Sequence, residues 1–247
     1  ARTVLDLVGE VADLASSILA ATDDWSASGV RDGQYAIDVE IDERCRARLL
    51  DAGCAVLSEE SGLTAADGAA SVVVIDPLDG STNAALGLPW CATALCLVEA
   101  GEPQVAMVAN LRTGDRFTAI RGRGAALDGR PLVVGAPVAL ADAIVAVNAR
   151  PPDTFRPAQY RSMGATALDI ASVATAWGFD GSIDFDDDRI GVWDYLAAVL
   201  IVVEAGGVAA DVHGRDLVTL DPAARRRPVT AGSAALLEEL LTVARAG

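Results

Sequence analysis

Apolar residues recur at helical spacing near both ends of the chain. Over residues 3–21 they stand at positions i, i+3 and i+4, a pattern that predicts an amphipathic helix. A second helix is expected over residues 42–53, with Asp42 near its start and Gly53 ending it. Three more helices are predicted in GATALDIASVATAWG, in DYLAAVLIVVEAGG and in the C-terminal SAALLEELLTVARAG. The second of these is apolar on nearly every side, so it should be buried.

Strand patterns occupy the middle of the chain. CAVL is a short strand, and SVVVIDPLDG begins as a strand that is apolar on both faces and therefore central in a sheet. From residue 91 onward, Gly-Glu-Pro, Thr-Gly-Asp and Asp-Gly turns separate the strands of a predicted antiparallel meander. Later strands are expected in ADAIVAVNA, GGVAADV and RPVTAGS. This order predicts one α+β layered domain over residues 1–247, made of two intimate halves at approximately 1–135 and 136–247.

Composition and charge narrow the possible classes of protein. Hydrophobic residues make up 52% of the chain, which is typical of a globular protein, and no apolar run approaches the roughly 20 residues that span a bilayer. Asp6, Glu10 and Asp13 interrupt the first helix, so it does not resemble a signal peptide, and we expect a soluble, cytoplasmic protein. The formal charge of −16 disfavours nucleic acid and anionic membranes as partners.

The cysteine and histidine content excludes two common kinds of site. The four cysteines form no CxxC pair, and His213 is the single histidine, so a zinc site is not expected. His213 lies in a predicted hairpin turn, far from any nucleophile-elbow pattern, which argues against a Ser-His-Asp triad. A hydrolytic base must therefore come from carboxylates or from water activated by a metal.

Carboxylates stand where strands end or helices begin. Glu59 follows the strand CAVL, Asp76 and Asp79 follow VVVI, and Asp194 begins the buried helix. Oxygen-only ligands suit Mg²⁺ or Mn²⁺. Asp76 and Asp79 flank a Pro-initiated turn, so both can point into one pocket, with the carbonyl of Leu78 between them. Carboxylates that meet without basic partners repel each other unless a cation neutralises them.

Glycine and small polar residues follow this acidic turn. Gly80-Ser81-Thr82-Asn83 can offer backbone N–H groups at a helix start, as a phosphate cradle does. Taken singly, DPLDG is an ordinary turn, SEES a solvated loop and Asp194 a helix cap. Their co-occurrence at element ends favours phosphoryl chemistry assisted by metal ions. A haloacid-dehalogenase phosphatase is the weaker alternative. The motif of that family has one residue between its two acids, whereas two residues separate Asp76 from Asp79, and the chain has no lysine to fill that family's basic role.

Three blocks together resemble the inositol monophosphatase family, whose relatives include fructose-1,6-bisphosphatase. The blocks are SEESG, VVVIDPLDGSTN with GLPWCATALCLVEAGEP, and GVWDYLAAVLIVVEAGG. The resemblance implies a five-layer αβαβα sandwich and a Mg²⁺-dependent phosphomonoesterase, with two or three Mg²⁺ per site and Mn²⁺ as a possible substitute. It also implies in-line displacement by water without a covalent intermediate, lithium sensitivity and a homodimer.

The resemblance assigns roles by position in the motifs. It makes Glu59, Ser81 and Asp42 catalytic, with Ser81 orienting the attacking water and Asp42 able to hold a third metal. The implied metal ligands are Glu59, Asp76, the Leu78 carbonyl, Asp79 and Asp194. The implied substrate-binding residues are Gly80, Ser81, Gly164, Ala165, Thr166, Asp187 and Asp194.

The motifs leave the substrate open. Inositol monophosphate is the first expectation. Fructose 1,6-bisphosphate, alone or in a dual-activity enzyme, comes next, followed by 3′-phosphoadenosine 5′-phosphate, histidinol phosphate and NADP, because loops rather than metal ligands choose among them. A hypothesis of another class is a non-catalytic relative that binds a phosphorylated ligand or a partner. The complete set of metal ligands in the motifs argues against it.

Overall fold

The computed structural model describes residues 3–30, 33–66 and 68–246. The α-helices of these residues are α1 (Val4–Ala21), α2 (Ala36–Asp51), α3 (Ser81–Ala85), α4 (Thr166–Ser172), α5 (Val192–Glu204) and α6 (Ala234–Ala246). The strands are β1 (Ala55–Ser58), β2 (Gly62–Thr64), β3 (Ser71–Asp79), β4 (Ala92–Glu99), β5 (Glu102–Asn110), β6 (Arg116–Ile120), β7 (Ala125–Leu127), β8 (Arg130–Leu132), β9 (Ile144–Asn148), β10 (Gln159–Arg161), β11 (Gly181–Asp184), β12 (Val208–Asp211) and β13 (Pro228–Ala231). One 3₁₀ turn, Leu140–Asp142, precedes β9.

Two sheets and three layers of helices alternate through the molecule. An eight-stranded sheet has the order β2-β1-β3-β4-β5-β6-β7-β8, and a five-stranded sheet has the order β10-β9-β11-β13-β12. Helices α1 and α2 cover one face of the larger sheet, α4 and α5 lie between the sheets, and α6 covers the outer face of the smaller one. The predicted five-layer αβαβα sandwich is confirmed. The division into two halves of a single domain stays a prediction.

The predicted helix and strand types hold along the chain, but two helix boundaries differ. Helix α2 begins at Ala36 rather than near Asp42, because the Asp38 carboxylate accepts the backbone N–H of Tyr35 (2.8 Å) and so caps an earlier start. Asp42 consequently lies inside the helix, on its buried side. Helix α4 ends at Ser172, where the Thr175 hydroxyl donates to the Ser172 carbonyl (2.8 Å). None of the described helices is long and apolar enough to cross a membrane.

A β-bulge brings the acids of strand β3 to one face of the sheet. Residues three apart on a regular strand point to opposite faces. Here Asp76 pairs with Ala94 and Asp79 with Ala92, so three steps along β3 match two along β4. The extra residue shifts the alternation of side chains by one position. Both aspartates therefore face the central helix layer, as Ala92 and Ala94 do. Leu78 packs on the opposite side, with the core under α1 and α2.

Candidate metal and phosphate site

Three carboxylates from three separate elements meet at the end of the larger sheet. Glu59 follows β1, Asp76 lies in β3, and Asp194 lies in the first turn of α5. One oxygen from each carboxylate lies within 4.8 Å of the other two. These three residues are called the acidic cluster below.

Asp76 is the most deeply buried member of the acidic cluster. Its side chain is 1% exposed, and its Oδ1 accepts the backbone N–H of Leu78 (3.0 Å). No hydrogen-bond partner reaches its Oδ2 within the described part of the chain. Burial raises the pKa of Asp76 well above its ordinary value, and the charges of Glu59, Asp79 and Asp194 raise it further. A buried, unsatisfied carboxylate oxygen that faces other carboxylates is a strong candidate for a cation ligand.

Asp194 joins the acidic cluster while capping its own helix. Its Oδ2 accepts the backbone N–H of Gly191 (2.7 Å), an arrangement that begins α5. Gly191 is needed there because a Cβ at that position would lie 2.3 Å from the folded-back ring of Trp193. Burial, followed by the charge of Asp79, raises the pKa of Asp194 to about 7.

Asp79 lies beside the cluster and anchors α4. Its two oxygens accept the backbone N–H groups of Thr166 (3.2 Å) and Ala167 (2.7 Å). Burial raises the pKa of Asp79 to about 8, although the N–H of Ala167 acts in the opposite direction. Each carboxylate oxygen has a second lone pair, so these bonds leave acceptor capacity for a cation.

The predicted phosphate cradle, which begins at Gly80, lies against the predicted substrate-binding residues Gly164 and Ala165. Gly80 has a left-handed backbone (φ 79°) and caps α3, which Ser81 begins. A Cβ on Gly80 would lie 3.0 Å from the Cβ of Ala165 and from the Trp90 carbonyl, and 3.2 Å from the Gly164 carbonyl. Glycine therefore permits the close approach of the two segments.

Two buried aspartates near this site escaped the sequence analysis. Asp169 accepts the indole N–H of Trp90 (2.8 Å), and burial raises its pKa to about 7. Asp184 ends β11 opposite Asn148, is 3% exposed and has an Oδ2 without a partner in the described residues. Burial raises the pKa of Asp184 to about 6. A strand ending in Asp, as in GSID, was the available signal for Asp184, whereas nothing in the sequence pairs Trp90 with Asp169.

Not every predicted site residue joins the cluster. Asp42 lies on the α2 side, where it accepts the Ser58 hydroxyl and has an Oδ2 3.7 Å from Nε of Arg46. Asp187 is exposed in the loop between β11 and α5. Thr166 begins α4 and, with Asp169, Ser182 and Asp184, lines a cavity about the size of one water molecule. The roles of Asp42, Asp187, Ser81 and the Leu78 carbonyl stay predictions.

The acidic cluster fits a hard divalent cation. It offers oxygen ligands only, one of them a buried oxygen without a donor, and like charges held within one site favour a cation between them. No histidine or cysteine of the described residues joins the cluster, so the ligand set does not favour zinc.

Comparison with known proteins accounts for nearly the whole chain. The family model described as "Inositol monophosphatase family" matches residues 2–246. An inositol-1-monophosphatase of Rhizobium meliloti is 37% identical over 155 residues, which cover 57% of each chain. The Nus factor SuhB of Pseudomonas aeruginosa is 35% identical over 178 residues, covering 65% of this chain and 64% of that protein. The matches thus span about three fifths of the length of these two curated relatives.

Solved structures match the fold over its full extent. The extragenic suppressor protein suhB of Bartonella henselae is 26% identical with a TM-score of 0.81, covering 99% of this chain and 100% of that one. A Pyrococcus horikoshii protein described as similar to inositol-1 monophosphatase has a TM-score of 0.84 at 23% identity, covering 97% and 95% of the two chains. The fold and the family model agree with the resemblance of the motifs. The chain belongs to the inositol monophosphatase family.

Proposed function

We propose that the protein is a Mg²⁺-dependent phosphomonoesterase acting on a small polyol or sugar phosphate. The observation that carries this proposal is the acidic cluster, in which three carboxylates share one small volume and Asp76 Oδ2 has no donor among the described residues. Family membership supports a phosphatase, whereas the choice of Mg²⁺ rests on the oxygen-only ligands.

The residues of the site divide into three tasks. Glu59, Asp76 and Asp194 would hold the cation, with Asp79 and the Leu78 carbonyl completing the ligand set. When bound, Mg²⁺ would neutralise charge on the ester and lower the pKa of a water molecule. Gly80 and Ser81 would donate backbone N–H groups to the phosphate, and the Ser81 hydroxyl would orient the attacking water. Asp42 would serve a further, weaker cation.

Substrate hydroxyl groups have a natural acceptor in Asp184. This carboxylate is buried, one of its oxygens has no partner among the described residues, and it lines the same small cavity as Thr166 and Ser182. Such an acceptor suits one hydroxyl group of a polyol whose ring lies outside this cavity. We therefore keep inositol monophosphate as the first candidate and fructose 1,6-bisphosphate as the second. Gly164 and Ala165 would contact the substrate through the turn before α4. Asp187 would contact it from the neighbouring loop.

Phosphate release tests this proposal directly. The wild-type protein is given inositol 1-phosphate, fructose 1,6-bisphosphate, 3′-phosphoadenosine 5′-phosphate, histidinol phosphate and NADP, each with Mg²⁺ and with EDTA. We expect turnover that depends on Mg²⁺ and a ranking by kcat/KM that identifies the substrate. No release from any of these esters at millimolar Mg²⁺ would overturn the proposal.

A second candidate function comes from relatives with other names. Several matched proteins are named Nus factor SuhB, so a non-catalytic role is the alternative of another class. If that alternative holds, Asp76→Asn should leave the non-catalytic role of the protein in its host unchanged. A homodimer and lithium sensitivity also remain proposals that rest on the family, and a cytoplasmic location remains a proposal that rests on the acids interrupting the first helix.

A further inference from the structure

Asn83 joins the predicted phosphate cradle to the turn that precedes α4. Its side chain is 9% exposed. Both hydrogens of its amide nitrogen are used, since Nδ2 donates to the carbonyl of Trp90 (2.8 Å) and to the carbonyl of Met163 (2.7 Å). The second bond joins residues 80 positions apart. One amide group thus connects the cradle, the loop before β4 and the turn before α4.

The packing around Asn83 leaves little room for the two segments to shift. Gly164 has a left-handed backbone (φ 84°), and a Cβ there would lie 3.3 Å from Nδ2 of Asn83. At the other end of the cradle, a Cβ on Gly80 would lie 3.2 Å from the carbonyl oxygen of Gly164. Glycine at both positions therefore permits a close contact, in which the amide of Asn83 fixes the spacing of the two backbones.

Asp79 also connects these two segments, but through a charged group. Its carboxylate accepts the backbone N–H groups of Thr166 (3.2 Å) and Ala167 (2.7 Å). In the proposed function the same carboxylate completes the ligand set of the cation, so its bonds to α4 share its oxygens with that cation. The amide of Asn83 is neutral, and its nitrogen donates to carbonyls only. Its bond to Met163 is thus a connection that does not depend on the cation.

We infer that Asn83 is a positioning residue, which sets the distance between the backbone that receives the phosphate and the turn that contacts the organic part of the ester. The inference rests on the proposed function and deepens it. Both hydrogens of the amide are used within the protein, so Asn83 acts through the segments that it joins. A shift of about 1 Å between those segments would misalign the scissile bond with the groups that act on it, a change that can cost about 100-fold in rate.

Asn110 offers a matched control for Asn83. It is 5% exposed, and its amide nitrogen donates to the carbonyl of Pro89 (3.0 Å), the residue directly before Trp90. Its Oδ1 accepts the backbone N–H of Arg112 (2.9 Å). Among the described residues, the side-chain hydrogen bonds of Asn110 thus hold the same loop before β4 and do not extend to the turn before α4.

Steady-state assays with the best ester of the proposed panel separate positioning from stability. Asn83→Ala and Asn110→Ala should both lower the melting temperature, because each removes hydrogen bonds inside the protein. In Asn83→Ala we expect kcat to fall about tenfold or more with KM changed less than about threefold, whereas Asn110→Ala should keep kcat within about twofold. Asn83→Ser, whose shorter side chain carries a single donor, should give a smaller fall and replaces Asn83→Ala if that variant does not fold. Equal falls of kcat at both positions, or no fall at Asn83, would overturn the inference.

Hydrogen exchange measures the positioning without turnover. In EDTA, the backbone amides of residues 163–167 should exchange about fivefold faster in Asn83→Ala than in the wild type, as expected for the loss of one hydrogen bond, and at the wild-type rate in Asn110→Ala. A wild-type protein that hydrolyses no ester disproves the proposed function, yet this measurement still decides whether Asn83 fixes the turn. Unchanged exchange of these amides in Asn83→Ala would overturn the inference, whatever the activity of the wild type.

Discussion

Two groups of carboxylates in this molecule have their charges compensated in opposite ways. In the first, the acidic cluster of Glu59, Asp76 and Asp194, burial and the charges of neighbouring carboxylates, Asp79 among them, raise the pKa values of both aspartates. The second, which we call the Arg215 cluster, contains Asp188, Asp211 and Arg215. There burial alone would raise the pKa of Asp211, but the bonds from Arg215 and from the Arg227 N–H outweigh it and lower the pKa to about 2.

The difference separates carboxylates that hold the fold from those that await a ligand. Asp211 is 1% exposed and accepts bonds from Arg215, from the N–H of His213 and from the N–H of Arg227, so its charge is satisfied by the protein. Asp76 is equally buried, but one of its oxygens has no donor in the described residues. A buried charge without a partner destabilises the fold. Its presence is understandable where a bound cation supplies the missing partner.

Asp76→Asn should have the largest effect on activity. Removing one ligand of the cation should lower kcat/KM by about 100-fold or more, since a metal ion contributes several kcal/mol to such a transition state. The same change removes a repelled, buried charge, so the metal-free protein should melt at a higher temperature than the wild type. Phosphate release and thermal melting in EDTA measure the two effects. Activity close to wild type would show that the acidic cluster is not the site.

Asp211→Asn is the matched control from the Arg215 cluster. It should lower the free energy of unfolding by about 2 kcal/mol, at the lower end for a broken buried ion pair because Arg215 is partly exposed. The activity of the folded fraction should be retained. If Asp211→Asn abolished activity without changing stability, the distinction between the two clusters would be wrong.

The second prediction concerns pH. The pKa values of Asp79 and Asp194 are raised to about 8 and 7, so the folded metal-free protein binds more protons than the unfolded chain between about pH 4 and 8. Its stability should therefore fall as pH rises through this window, by on the order of a few kcal/mol. Mg²⁺ should reverse the loss at pH 8 and have little effect at pH 5, as thermal melting with Mg²⁺ or EDTA would reveal.

Asp211 should respond in the opposite sense to pH. Because its pKa is lowered to about 2, its contribution to stability is present above about pH 4 and is lost as pH falls toward 2. Asp211→Asn should therefore flatten the acid limb of the stability profile, whereas Asp76→Asn should only lessen the fall between pH 4 and 8, because Asp79 and Asp194 stay buried. If the metal-free protein grew more stable between pH 5 and 8, the interpretation of the acidic cluster would fail.

Asp169 is intermediate between the two groups of carboxylates, because its carboxylate accepts a hydrogen bond from a neutral donor, the indole N–H of Trp90. Trp90→Phe removes the indole N–H and keeps most of the ring volume, so Asp169 loses its partner at the start of α4. The carbonyl of Trp90 also accepts a hydrogen bond from the Asn83 amide (2.8 Å), which links this contact to the predicted phosphate cradle. We expect kcat to fall about tenfold, as for other residues that orient ligands indirectly. A rise in KM alone would contradict a positioning role, and Trp177→Phe, at an exposed tryptophan, is the control.

The sequence predicts the elements and the acids better than it predicts their contacts. Hydrophobic periodicity locates the helices and strands because it reflects burial, and DPLDG marks the site because turn residues and acids combine there. The start of α2 was misplaced because the Asp38 cap lies before the apolar pattern. The bond from Trp90 to Asp169 joins residues 79 positions apart, and the Arg225–Trp193 stack joins two segments across a loop. Such contacts depend on how the layers pack, and no local pattern encodes them.

The smallest expected effect, a change in KM, distinguishes Asp184 at the end of β11 from Asp187 in the loop that follows it. Asp184 is buried with one oxygen lacking a donor in the described residues, whereas Asp187 is exposed and its backbone N–H donates to Asp186 (3.0 Å). Asp184→Asn should raise KM for inositol 1-phosphate about fivefold, because Asn keeps an acceptor oxygen but loses the charge that strengthens the hydrogen bond, with kcat nearly unchanged. Asp187→Asn should change KM by less than about twofold, because a solvated carboxylate gains little by binding a hydroxyl. The opposite ranking in a steady-state assay would assign the substrate hydroxyl to the exposed acid and leave Asp184 as a purely structural group.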